Sequence, residues 1–118
     1  MQWIILIGDE SLDLTSIHKI KHFGVNTVSS ILDNRFAVDY GKEHIIYDFS
    51  ESIINDYKLE DIKKIPFQNP RFIMMIYTSE ELMKKVLSQD NFIRGIYVDD
   101  DHGQIMPIEE YLLTLLNT

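Results

Sequence analysis

Apolar and polar positions along the chain mark out most of its elements. Trp3-Ile4-Ile5-Leu6-Ile7 is an unbroken apolar run closed by Gly8. A run so short and so rich in isoleucine predicts a strand buried on both faces, with Trp3 part of the core. From Leu12 to Phe23, residues Leu12, Ile17, Ile20 and Phe23 share one helical stripe. Ser11 suits the N-cap of that helix and Gly24 its stop. Val25 to Leu32 is β-rich, Asp33-Asn34 supplies a turn, and Phe36, Val38 and Tyr40 alternate with Ala37 and Asp39. After Gly41-Lys42-Glu43, residues Ile45, Tyr47 and Phe49 mark a third strand, which completes an antiparallel meander.

Ser50 can cap a short helix carrying Ile53, Ile54 and Tyr57, and Leu59, Ile62 and Ile65 recur every third position up to Pro66. The chain from Pro66 to Pro70 reads as a loop. Phe72 to Tyr77 predicts a central strand, and Thr78 to Glu81 has capping-box spacing. The helix that follows, 79–89, places Leu82, Met83, Val86 and Leu87 inward and pairs Glu80 with Lys84 and Glu81 with Lys85 on its wet face. Gly95 to Val98 reads as another strand, Gln104-Ile105-Met106 as a short return, and Pro107 as the first position of a last helix. Its stripe is Ile108, Tyr111, Leu112 and Leu115. If strands 72–77 and 95–98 are parallel neighbours, the unit is a right-handed crossover. The expected fold is α+β: one domain, 1–118, with a mixed sheet of antiparallel meander plus βαβ unit, flanked by helices.

Composition narrows the function classes. Hydrophobic residues make up 45% of 118, ordinary for a globular chain. Cysteine is absent, which removes disulfides, thiolate chemistry and cysteine-held metals and fits a reducing compartment. The amino terminus lacks the features of a secretory signal and no run approaches a membrane span, so the expected setting is cytoplasmic, the chain mature from its first residue, with no membrane partner. Nineteen acidic against eleven basic residues leave a net charge of -8. A surface of this sign repels nucleic acid and attracts basic proteins; solubility alone would also account for it.

Candidate chemistry is sparse. Asp99-Asp100-Asp101-His102-Gly103 is the densest polar cluster, and such carboxylates can hold a hard cation. As an EF-hand loop from Asp99 it fails, because the glycine falls at the fifth position and Pro107 interrupts. Gly8-Asp9-Glu10 also follows a buried strand, so parallel strands 3–7 and 95–98 would bring both acidic groups to one carboxyl edge, where α/β sheets bind ligands. The run Ile5-Leu6-Ile7-Gly8-Asp9-Glu10 resembles the opening of response-regulator receiver domains. The meander, and the lack of that family's phospho-accepting Asp and its Lys at later strand ends, set this chain outside it. His18 and His22 stand four apart, but Lys19 replaces the glutamate of a zinc-protease helix, and a solvated face is the expected setting. His44 reads as a strand-edge residue. No nucleophile elbow or phosphate-binding glycine loop is present, so neither a cofactor nor a catalytic residue is assigned.

Two function classes remain. One is a binding module that docks a basic protein, with Asp99, Asp100 and Asp101 for steering and exposed tyrosines such as Tyr40, Tyr57 and Tyr97 as anchors. Its profile is similar to that of the small immunity proteins that neutralise cationic bacterial toxins, often nucleases; no motif carries that likeness. The other is a small metal-dependent hydrolase or phosphate-handling enzyme using Asp9, Glu10 and Asp99 to Asp101.

Overall fold

The computed structural model describes residues 2–116. Its first strand, β1 (Gln2–Gly8), runs through the interior of a seven-stranded sheet. The short helix α1 (Leu14–His18) then leads to the meander β2 (Thr27–Leu32), β3 (Arg35–Asp39) and β4 (His44–Phe49). A 3-10 helix (Glu51–Asp56) and α2 (Leu59–Ile62) precede β5 (Arg71–Tyr77). Helix α3 (Glu80–Leu87), the hairpin β6 (Tyr97–Asp99) and β7 (Ile105–Pro107), and α4 (Ile108–Leu116) complete the fold. The strand order is β2-β3-β4-β5-β1-β6-β7, and every pairing is antiparallel. A radius of gyration of 13.7 Å is close to the ~13.5 Å of one compact domain this long.

The class is α+β with the expected meander, and strands 2–8, 71–77 and 97–99 share one sheet. The crossover differs from expectation. β5 and β6 point the same way, but β1 lies between them, antiparallel to both. The sheet is therefore not mixed, and the parallel pair of a βαβ unit is replaced by a split crossover spanned by α3. Nothing in the local sequence of β5 or β6 encodes that insertion.

Alternation along β1 divides two cores. Ile4 and Leu6 join the cluster built with Leu12, Ile17, Met83, Val86, Leu87 and Ile108, so α1, α3 and α4 cover that face. Ile5 and Ile7 join Ile53, Ile65 and Phe72 on the other face, beneath the 3-10 helix and the segment after α2. Gly8 permits this packing, since a Cβ there would lie 2.8 Å from Leu12 Cβ.

Tertiary bonding overrides several local expectations. The first helix is capped by Asp13, whose carboxylate accepts from Ser16 N at 2.7 Å, and it ends at His18 instead of continuing to Phe23. Beyond it, Lys21 O accepts from the Gln89 and Asn91 side chains, and Asn26 donates to the carbonyls of His22, Phe23 and Gly24. Ser79, not Thr78, caps α3, because Thr78 Oγ1 accepts from His44 N at the start of β4. Glu80–Lys84 and Glu81–Lys85 form no ion pairs; Arg35–Asp48 is the one pair among the described residues. Trp3 is 41% exposed rather than core, because β6 pairs only with Ile5 to Ile7 and leaves Trp3 uncovered on that side. Pro107 pairs with Tyr97 instead of opening α4, a position that an edge strand tolerates.

His22 is the most informative departure. It is 4% exposed, not on a solvated face. Its Nδ1 donates to Ile20 O at 3.1 Å, so in the neutral ring Nε2 accepts from Tyr47 Oη at 2.7 Å. Burial holds the His22 pKa below its ordinary value, and burial raises that of Tyr47 well above the usual phenol range. Between the two His22 values the unfolded chain binds the extra proton, so stability is full above the unfolded value and falls as pH drops below it. Urea denaturation from pH 8 to 5.5 should show the native protein losing stability below pH ~6.5, with a slope approaching ~1.4 kcal/mol per pH unit beyond that of His22→Gln. Parallel profiles for the two proteins would place the imidazole in water.

Candidate functional site

Antiparallel register decides where the acidic turns lie. Ile5 pairs with Asp99 and Ile7 with Tyr97, so β1 runs toward Gly8 while β6 runs the other way, toward Asp100. Asp9 stands four residues beyond the level of Asp99, at least ~13 Å along the strand. The two acidic groups therefore sit at opposite ends of the sheet and do not converge. Asp9 is occupied locally: its carboxylate accepts from Ser11 N and Ser11 Oγ, which lowers its pKa. Glu10 accepts from Asn69 at 3.3 Å. No group of three His, Asp or Glu able to hold a metal occurs among the described residues.

The Asp99 to Gly103 turn is a built structure. Asp99, 7% exposed, accepts from Tyr57 Oη at 2.7 Å and from Asp101 N at 2.9 Å. Asp100 Oδ1 accepts from His102 N and Gln104 N, and Asp100 N donates to Gln104 O. Asp101 adopts φ 65°, a left-handed conformation that Asp tolerates. Asp99 is thus an internal brace, and Asp101 is the exposed charge.

The aromatic candidates are not exposed anchors. Tyr57 is half-buried and committed to Asp99; burial, then that hydrogen bond, raises its pKa. Tyr97 packs edge-on to Phe67 against one core, and Tyr40, against the other, donates to Phe23 O at 2.9 Å. Tyr97 and Tyr40 therefore lie on opposite faces of the sheet and cannot share a site with one another.

What the fold does assemble at the Asp100 end is a cleft of about 470 Å³, within the ~300–1,000 Å³ of ordinary ligand sites. Gln2 and Trp3 begin β1 there, Tyr77 ends β5, Glu80 opens α3, Asp100 to His102 form the β6–β7 turn, and Tyr111, Thr114 and Leu115 come from α4. No lysine or arginine lines it. Tyr77 and Tyr111 are each 6% exposed as whole residues, and their hydroxyls, which have no hydrogen-bond partner among the described residues, reach solvent in the cleft. Burial raises the Tyr111 pKa far above the usual phenol range, with Tyr77, Asp100 and Glu80 adding to it, and burial and then Glu80 raise that of Tyr77. The phenols therefore stay neutral, within the field of nearby carboxylates.

Sequence reasoning found the turn and missed Gln2, Tyr77, Glu80, Tyr111 and Thr114. Tyr77 and Tyr111 read as core residues, since each lies on an apolar stripe. The available signal was that each is the polar-tipped member of its stripe, which a buried position leaves seeking a partner.

The brace and the exposed charge are separable by mutation. Asp99→Ala strands Tyr57 Oη and Asp101 N and should lower unfolding free energy by about 1–3 kcal/mol. Asp101→Asn retains the left-handed preference and should stay within about 0.5 kcal/mol of the native protein. Urea denaturation of the two variants checks this, and equal losses would contradict the assignment.

Against known proteins, no family model, no curated sequence and no solved structure matches this chain.

Proposed function

We propose that this protein is a binding module that docks a basic protein at the acidic end of its sheet. The observation that carries the reading is the cleft itself: Glu80, Asp100 and Asp101 line it with two unpartnered phenols and with no lysine or arginine. A net charge of -8 supplies long-range attraction, and low-dielectric walls concentrate the field at the cleft. Inhibition of a cationic toxin, as immunity proteins do, is one form such docking takes. A cysteine-free chain suits the reducing cytoplasm, and no helix among the described residues is long and apolar enough to cross a membrane. The opposed positions of Asp9 and Asp101 favour docking over the hydrolase reading, which required both turns in one place.

Steering by charge has a kinetic signature. A partner isolated from native extract, identified and purified, should be basic, and its association rate should fall about tenfold or more between low and physiological salt. Asp101→Asn with Glu80→Gln should slow association more than it speeds dissociation. Stopped-flow mixing across ionic strengths measures both rates. An acidic or neutral partner, or a salt-indifferent association rate, would end the proposal.

A further inference from the structure

We infer that the cleft between the start of β1, the end of β5, the β6–β7 turn and α4 receives a single arginine side chain of the docked partner. This deepens the docking reading and rests on it for the source of the arginine. Three features point to an organic cation. Glu80 and Asp101 make no ion pair or side-chain hydrogen bond within the described residues, and Asp100 has one carboxylate oxygen engaged by the turn and the other without a partner. The Tyr77 and Tyr111 side chains are more than nine-tenths buried and line the same cleft, where their hydroxyls make no hydrogen bond to the described residues and meet solvent. A ligand with several donors engages these carboxylates and hydroxyls together.

The distribution of acceptors selects among cations. A metal needs oxygens converging on one point, and no three-ligand group exists among the described residues. Here the acceptors stand on separate walls: Glu80 on α3, Asp100 and Asp101 on the turn, Tyr77 on β5 and Tyr111 on α4. A lysine ammonium concentrates its three donors at one strongly hydrated point. A guanidinium spreads five donors around a rigid plane and is more weakly hydrated. It therefore reaches carboxylate and phenol oxygens on different walls at once, while Leu115 and the tyrosine rings supply apolar surface for the aliphatic stem.

The test uses the full chain, isotope-labelled for NMR, titrated with arginine blocked at both ends as an acetyl methylamide. Blocked lysine and blocked citrulline, the neutral isostere, are the controls. Blocked arginine should shift the amides of Gln2, Asp101, His102 and Thr114 saturably, and citrulline should bind at least about tenfold more weakly, as the loss of a charge-assisted hydrogen bond implies. Lysine should fall between them. Glu80→Gln and Tyr111→Phe should each weaken arginine binding several-fold, and Asp9→Asn, at the far end of the sheet, should leave it unchanged. The spectrum of each variant reports whether it is folded, and Glu80→Gln, at an exposed site, keeps the test open if Tyr111→Phe is not. Equal binding of citrulline, or shifts centred elsewhere, would overturn the inference. A basic partner that associates in a salt-dependent way while blocked arginine leaves the cleft amides unmoved would sink the arginine site alone. Arginine binding at the cleft with no basic partner would sink the docking reading alone.

Discussion

The double ladder of β1 is the constraint on which the rest depends. All seven of its residues pair with β5 on one side, and Ile5 to Ile7 pair with β6 on the other. Each neighbour is far away in sequence, so no hairpin supplies the register. It is enforced instead by burial: Ile4 and Leu6 belong to one core, Ile5 and Ile7 to the other. A slip of one residue would exchange the two sets, and each core, packed for the other set, would be over- or underfilled at a cost of about 1–3 kcal/mol per misfitted side chain. A strand paired along both sides cannot lie at an edge, and the chain running from β5 to β6 must therefore cross it. α3 does so, and the topology of the sheet follows from that crossing.

This also explains which parts of the fold were legible. The meander from Thr27 to Phe49 is local, its turns are encoded by Asp33-Asn34 and Gly41, and its alternation is visible residue by residue. The strand from Arg71 and the helix after it were legible for the same reason. The insertion of β1 between β5 and β6 is a long-range event that leaves no periodic trace. Where local signals misled, distant donors or acceptors had claimed a group: Thr78 by His44, His22 by Tyr47, and Lys21 O by Gln89 and Asn91.

The site was half-legible on the same terms. Asp100 and Asp101 stand out as charge in a short stretch of sequence, but their partners in the cleft come from both ends of the chain. Gln2 and Tyr77 meet because they are register partners on β1 and β5. Tyr111 joins them because α4 packs on the same face through Ile108 and Tyr111. A parallel β1–β6 pair would have put Asp9 and Glu10 beside Asp100. The antiparallel pair puts the end of β5 and the start of α3 there, and thereby Tyr77 and Glu80. Topology thus exchanged a cluster of carboxylates alone for one mixed with phenols.

Solubility explains a negative surface, but not this arrangement of it. Charges that serve solubility gain most when fully hydrated and dispersed, whereas Glu80 lies close enough to both Tyr77 and Tyr111, and Asp100 to Tyr111, to add to the rise in pKa that burial causes. Carboxylates gathered around a cleft without lysine or arginine repel one another, and the repulsion grows as water is excluded. The proposed donor-rich cation would engage the tyrosines and the neighbouring acids together. Because such an occupant binds the folded chain alone, it would return stability to the end of the sheet where β6 is only three residues long.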